Sequence, residues 1–345
     1  MSKTKRNYIF IDLLRAIAAF CVIVNHTNSD IFLTNAPPSP RWFLSLAYFF
    51  FSKIAVPVFI MITGYLMLDK PISYRKTLFR ALRIGAVILI FSVPYYIVQC
   101  CTGKIVDGGI LHFLQTVFSS RITTAYWYLY QYLGILLMLP FIQKMAENFT
   151  RRDFYIFFAM GGLLNSVWPL LVHFFPALSY SKFFTLPGMS IYLMLLLIGL
   201  YFKRYPPHFP HIRAVYLCTV FLGVLLNVLL TWREFIVKNG TGYLFYDKRE
   251  LFPILLPSVA VFGLCSTLSF RERPGRLITF LGSLTFGIYL MSDLLIDRFK
   301  FLYQKAVAGG LHPLLAVVLF ELLVFAAGGA VTWLLKKIPL LKKLL

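Results

Sequence analysis

Arg15 and His26 stand eleven residues apart within one apolar stretch, residues 8–27. An ionisable side chain in hydrocarbon costs about 2.5 to 3.5 kcal/mol on insertion scales, so such residues need a reason to be there. Their spacing offers one. Eleven residues turn a helix through about 1100°, roughly three turns plus 20°, and raise it by about 16 Å. Both side chains therefore project from one stripe at different depths, the geometry of a lined cavity. Imidazole takes up and releases protons near neutral pH. A guanidinium at depth can bind polar groups or hold the cavity's shape. Asp12 is three residues before Arg15, the correct spacing for a helical neighbour, and the pair serves function or scaffold equally well. Arg80 and Arg83 lie one helical turn apart, and arginine forks grip phosphate oxygens.

The elements that must position these residues are membrane helices. Apolar residues make up 59% of the 345-residue chain and charged residues only 14%, against roughly 25% charge in soluble domains. The mean hydropathy is +0.76. Ten stretches approach or exceed the roughly 20 apolar residues a spanning helix needs: 8–27, 44–68, 82–99, 126–143, 154–172, 186–202, 212–231, 252–269, 277–296 and 313–335. The sixth is the least regular, because it opens at Pro187-Gly188 and closes at Lys203-Arg204. The expected fold is an all-α polytopic integral membrane protein of about ten transmembrane helices, with 1–345 as a single membrane domain and no soluble appendage. No cleaved signal peptide is expected, since Ala16-Ile17-Ala18 lies inside the apolar run.

The net charge of +21 invites a nucleic-acid partner, but its distribution argues for a bilayer. With the N-terminus inside, the alternating inner segments carry 21 Lys and Arg against 12 outside, Arg15 lying within a span. This positive-inside pattern puts both termini in the cytoplasm and predicts a multi-pass protein of the cell membrane. Topology and lipid headgroups then explain basic clusters in general. The five cysteines are scattered and give neither a disulfide framework nor a metal spacing. His208 and His211 lack further ligands, so no metal is expected. Glu321, in the last span, is a functional suspect without an evident partner. Asn25 should point about 100° away from His26. Tyr126, Trp127 and Tyr128 suit interfacial anchoring as well as substrate stacking. His112 falls in an amphipathic stretch, 110–118, suited to covering a cavity mouth, while Ser119, Ser120 and Cys21 show no nucleophile context.

The order of motifs resembles the membrane acyltransferase-3 family. Asp12-x-Leu14-Arg15-x-x-Ala18, followed by His26, is similar to its opening helix, and Val58 to Tyr65 is similar to an apolar run ending in Ser-Gly-Tyr. Arg80-Ala-Leu-Arg83 matches an Arg-x-x-Arg motif, Trp127-Tyr128-Leu129 a Trp-aromatic-Leu element, and Leu281 to Leu290 the penultimate-helix element. The likeness runs from residue 8 to about 335. Two departures stand out: Thr63 and Thr285 replace the commoner Ser, and Met291-Ser292-Asp293 stand where the penultimate-helix element often continues to a second His.

The resemblance implies an integral membrane acyltransferase that moves an acyl group, typically acetyl, from cytoplasmic acyl-coenzyme A to a hydroxyl outside the cytoplasm. It implies His26 as base or transiently acylated nucleophile, Arg15 and Asp12 as the deeper catalytic pair, and Arg80, Arg83 and Arg15 as ligands of acetyl-coenzyme A. The expected acceptor is an envelope polysaccharide or its lipid-linked precursor. Many relatives carry a fused esterase-like domain; without one, the chain finishes the transfer itself or hands over to a separate extracytoplasmic protein. The membrane portion of certain amino-acid racemases is also similar. The rival reading is an exporter of a small anion lined by the same arginines, and the lack of a repeated second half favours the enzyme.

Overall fold

The protein was analysed as a computed structural model that describes residues 8–27, 37–106, 108–119, 122–179, 181, 188–237 and 252–345. The basic residues Lys3, Lys5 and Arg6, Ser120, and the opening of the sixth expected span at 186–187 lie outside the described residues. Within them the chain is helical, with no strand. The helices are α1 (Ile9–Thr27), α2 (Pro40–Ser52), α3 (Ala55–Met67), α4 (Tyr74–Cys101), α5 (Ile110–Phe118), α6 (Trp127–Glu147) and α7 (Arg151–Gly162). They continue as α8 (Trp168–Phe174), α9 (Ile191–Arg204), α10 (Ile212–Val237), α11 (Phe252–Ser266), α12 (Glu272–Ala308), α13 (Pro313–Leu335) and α14 (Pro339–Leu344). Several start where the sequence supplies an N-cap: Ser39, Ser73 and Ser190 each accept a backbone N–H three residues on, and Thr150 forms a capping box with Asp153.

Among the described residues eight helical segments, rather than ten, are long and apolar enough to cross a membrane. The expected sixth and eighth spans are the 14-residue α9 and the 15-residue α11. At 1.5 Å per residue they reach about 21 and 22 Å, short of a hydrocarbon core of about 30 Å. Both are sheathed by protein. α9 crosses α3 so closely that a Cβ at Gly64 or at Gly199 would strike the other helix's backbone, and α11 lies against α10, α3 and α1.

Two expected spans are interrupted, each by a proline. Pro57 has no N–H for the Lys53 carbonyl, and the 28-residue segment Pro40–Met67 breaks at Lys53-Ile54 into α2 and α3. Pro169 does the same to Asn165, and the helix passes through a π-turn, Leu163–Val167, before α8. In contrast, α12 runs far past its expected end at residue 296, to Ala308, because its last turns are polar but helix-forming. α1 is the central helix, packed against α2, α3, α11, α12 and α13. Gly282 permits the α1–α12 crossing: a Cβ there would lie 2.5 Å from Asp12 Cβ. Every residue on the inward face of α1 is thus fixed by several neighbours.

Candidate active site

His26 occupies the last turn of α1 and is held on three sides. Asn25 Nδ2 donates to the Ser52 carbonyl at 2.8 Å, pinning the α2–α3 break to the helix end. Thr27 Oγ1 donates to Glu321 of α13, whose other carboxylate oxygen accepts from Tyr48 OH at 2.6 Å. The third neighbour is Asp293 of α12: its Oδ1 lies 3.3 Å from His26 Nδ1. The side chains of His26 and Asp293 are 26% and 14% exposed, so the pair is shielded yet reachable.

Asp293 is itself bolted in place. Its Oδ2 accepts from Thr123 Oγ1 and, at 3.2 Å, from Ala125 N. The turn that supplies these donors is fixed by its own Tyr126 and by Tyr289 of α12: Tyr126 OH donates to the Leu290 carbonyl at 3.0 Å, and Tyr289 OH donates to the Ala125 carbonyl. Gln99 Nε2 holds the preceding Ile122 carbonyl at 2.8 Å. With Oδ2 satisfied by these two donors, Oδ1 faces the imidazole at ion-pair distance and makes no hydrogen bond of its own among the described residues. A carboxylate beside Nδ1 is placed to orient the imidazole, as the acid of a His–Asp dyad does.

His26 opens on a cavity of about 210 Å³ lined by Asn25, Lys53, Pro57, Thr124, Trp127 and Leu195 among others. A second cavity of about 530 Å³ lies on the side of Arg15 and contains Arg15, Thr63, Arg83, Tyr132, Ser283 and Lys336. The two share a wall made of Phe59, Tyr128 and Tyr289. Arg15 NH1 bonds Asp12 Oδ1 at 3.1 Å, so Asp12 partners the arginine without lining either cavity. Arg83 lines the larger cavity, while Arg80, half-buried one turn earlier, does not; both, with Arg15, lie close enough to Tyr132 to act on it electrostatically. Lys336 Nζ, just beyond α13, donates to the Ser283 carbonyl. Burial, and then the nearby Arg83 charge, hold its ammonium below the usual lysine range. Three cations thus converge on the larger cavity, and the acid nearest to them, Asp12, is engaged by Arg15.

A family model described as an acyltransferase domain matches residues 8–336. The chain belongs to the acyltransferase-3 family. No curated protein and no solved structure shows a significant match. The chain is therefore a multi-pass membrane acyltransferase, and the exporter reading loses its support.

In this acyltransferase the structure brings Arg15, Asp12 and Arg83 together at one end and places His26 at the other. Four sequence expectations change. Arg15 and His26 line separate cavities instead of one, because Phe59, Tyr128 and Tyr289 stand between them. Asn25 lines the same cavity as His26 instead of pointing away, because its amide is drawn to the α2–α3 break. Tyr126 and Tyr128 are buried rather than interfacial: Tyr126 sits in the turn that packs beneath α12, and Tyr128 lines both cavities. Glu321 has partners, Thr27 and Tyr48. His112 pairs with Tyr96 OH at 2.9 Å beside α4, away from both cavity linings. Sequence reasoning missed Asp293 and Lys336 as site residues. Asp293 carried a signal, an acid within an apolar span where relatives often place His; Lys336 was indistinguishable from its basic neighbours.

Proposed function

We propose that this acyltransferase binds acyl-coenzyme A, most simply acetyl-coenzyme A, at its basic end and acylates a hydroxyl at His26. The observation that carries the reading is the pair of cavities with one shared wall: cations of the right kind for phosphate on one side, a carboxylate-oriented imidazole on the other. The nucleotide's phosphates would engage Arg83, Lys336 and Arg15, with Arg80 adding to the field. The pantetheine arm is long and thin, and Phe59, Tyr128 and Tyr289 are the groups it must pass to carry the thioester to His26.

There the acceptor's O–H gives its proton to His26 Nε2 as the oxygen attacks the thioester carbonyl. Collapse of the tetrahedral adduct breaks the C–S bond, and the imidazolium returns the proton to the departing thiolate. Asp293 balances the imidazolium charge while it exists. With both termini cytoplasmic, as the charge distribution predicts, the donor docks from the cytoplasm and the acceptor arrives from outside, so an envelope polysaccharide or its lipid-linked precursor is the acceptor that fits. A separate extracytoplasmic transfer protein is not required by this scheme.

Calorimetry on protein in nanodiscs tests the donor half. Acetyl-coenzyme A should bind wild type and His26→Ala alike and bind Arg83→Ala more weakly, with slow thioester hydrolysis lost in His26→Ala alone. Absence of binding to folded wild type would end the reading.

A further inference from the structure

The last residues of the chain reach the basic end of the larger cavity. After α13 the chain turns at residues 336–338, and the short helix α14 lies back against α4. Leu344 is only 9% exposed, and its backbone carbonyl accepts two hydrogen bonds from Arg83, from Nε at 3.2 Å and from NH2 at 2.8 Å. Leu345 lines the cavity itself. A guanidinium that spends two N–H groups on one oxygen is making the contact it would make to a phosphate oxygen. Ile338, Pro339, Leu340, Lys342 and Lys343 are exposed, and besides Leu344 only Leu341 and Leu345 of the segment pack against the core.

We propose that residues 339–345 form a strap that occupies Arg83 in the resting protein and must be displaced by the donor's phosphates. The proposal rests on Arg83 being a donor ligand. A carbonyl is a neutral acceptor, whereas a phosphate is charged, so a diphosphate outcompetes the strap at Arg83 while water and weak anions do not. Lys336 sits at the hinge and lines the same cavity, so a diphosphate drawn to it arrives beside the strap's attachment point. The strap thus keeps Arg83 engaged until a polyanionic donor arrives and engages it again when the product leaves. Donor affinity is reduced by the fraction of time the strap is bound.

Two variants and one label test this. Deletion of residues 339–345, or Leu344→Ser to remove the buried side chain that seats the segment without adding charge, should tighten acetyl-coenzyme A binding by about tenfold in calorimetry. Unchanged or weaker binding in both variants would overturn the strap. A spin label at Leu340→Cys, with Cys100, Cys101 and Cys218 changed to Ser, reports the strap without relying on catalysis. The label should be slow in the resting protein, fast in Arg83→Ala, and fast on addition of acetyl-coenzyme A or inorganic pyrophosphate. A label that stays slow in Arg83→Ala and with both ligands contradicts the proposal. Release by pyrophosphate without any acetyl-coenzyme A binding would instead retain the strap and remove the donor reading.

Discussion

The two cavities on either side of Phe59, Tyr128 and Tyr289 are built on different principles. The histidine side is small and its polar groups are fixed in position: Asp293 is held by Thr123 and Ala125, Asn25 by the α2–α3 break, and the turn at residues 123–126 by buried tyrosines. The basic side is larger and made of long cationic side chains, with Arg83 exposed and fastened to a peripheral segment. Chemistry needs the first kind of construction, since a base displaced by an ångström loses much of its effect. Capture of a flexible polyanion tolerates the second. The difference predicts that mutations on the histidine side act on turnover and those on the basic side act on donor affinity.

The largest effect falls on the base. His26→Ala should lower acyl transfer by at least about 10³-fold with donor affinity unchanged, measured by labelled acetyl transfer and calorimetry on the same preparation. Asp293→Asn comes next, with a loss of about 10²-fold in turnover because the imidazole loses its orienting anion. If Asp293→Asn weakened donor binding instead, the division between the cavities would fail. On the other side, Arg83→Ala should weaken acetyl-coenzyme A binding about tenfold or more, the cost of a charge-assisted contact to phosphate, with turnover at saturation nearly intact. Here the expectation is a net effect, after any gain from freeing the strap. The smallest effect concerns pH. Burial and Arg83 already hold the Lys336 ammonium below the ordinary lysine range, so it loses its charge earlier as pH rises. Donor affinity should therefore fall on the alkaline side, and Lys336→Arg, which stays charged, should flatten that fall.

Much of this was legible in the sequence because membrane helices leave few options. The composition dictated an all-α membrane fold, but the spacing of Arg15 and His26 suggested one lined cavity where the structure has two, divided by Phe59, Tyr128 and Tyr289. What the sequence did not disclose depended on contacts far apart along the chain. Asp293 meets His26 across 267 positions (293 − 26), and only the α1–α12 crossing allowed by Gly282 aligns them. The breaks at Lys53 and Asn165 were visible in principle, as prolines four residues on. The short α9 and α11 were not: their apolar runs suggest full spans, and only the glycine contact with α3 shows that protein surrounds α9. Lys336 illustrates a further limit. Its type and position fit the positive-inside pattern, and nothing but its place beside Arg83 separates it from Lys337, which lies over the Trp333 ring.

The most direct test uses the protein reconstituted with its N-terminus on a known side of sealed vesicles. Labelled acetyl-coenzyme A is supplied only to that side and a soluble glycan acceptor only to the other. Label on the far-side glycan, lost in His26→Ala while donor binding persists, is the result predicted by a donor site and a reactive histidine joined through the membrane. Transfer only when donor and acceptor share a side, or transfer undiminished in His26→Ala, would contradict it.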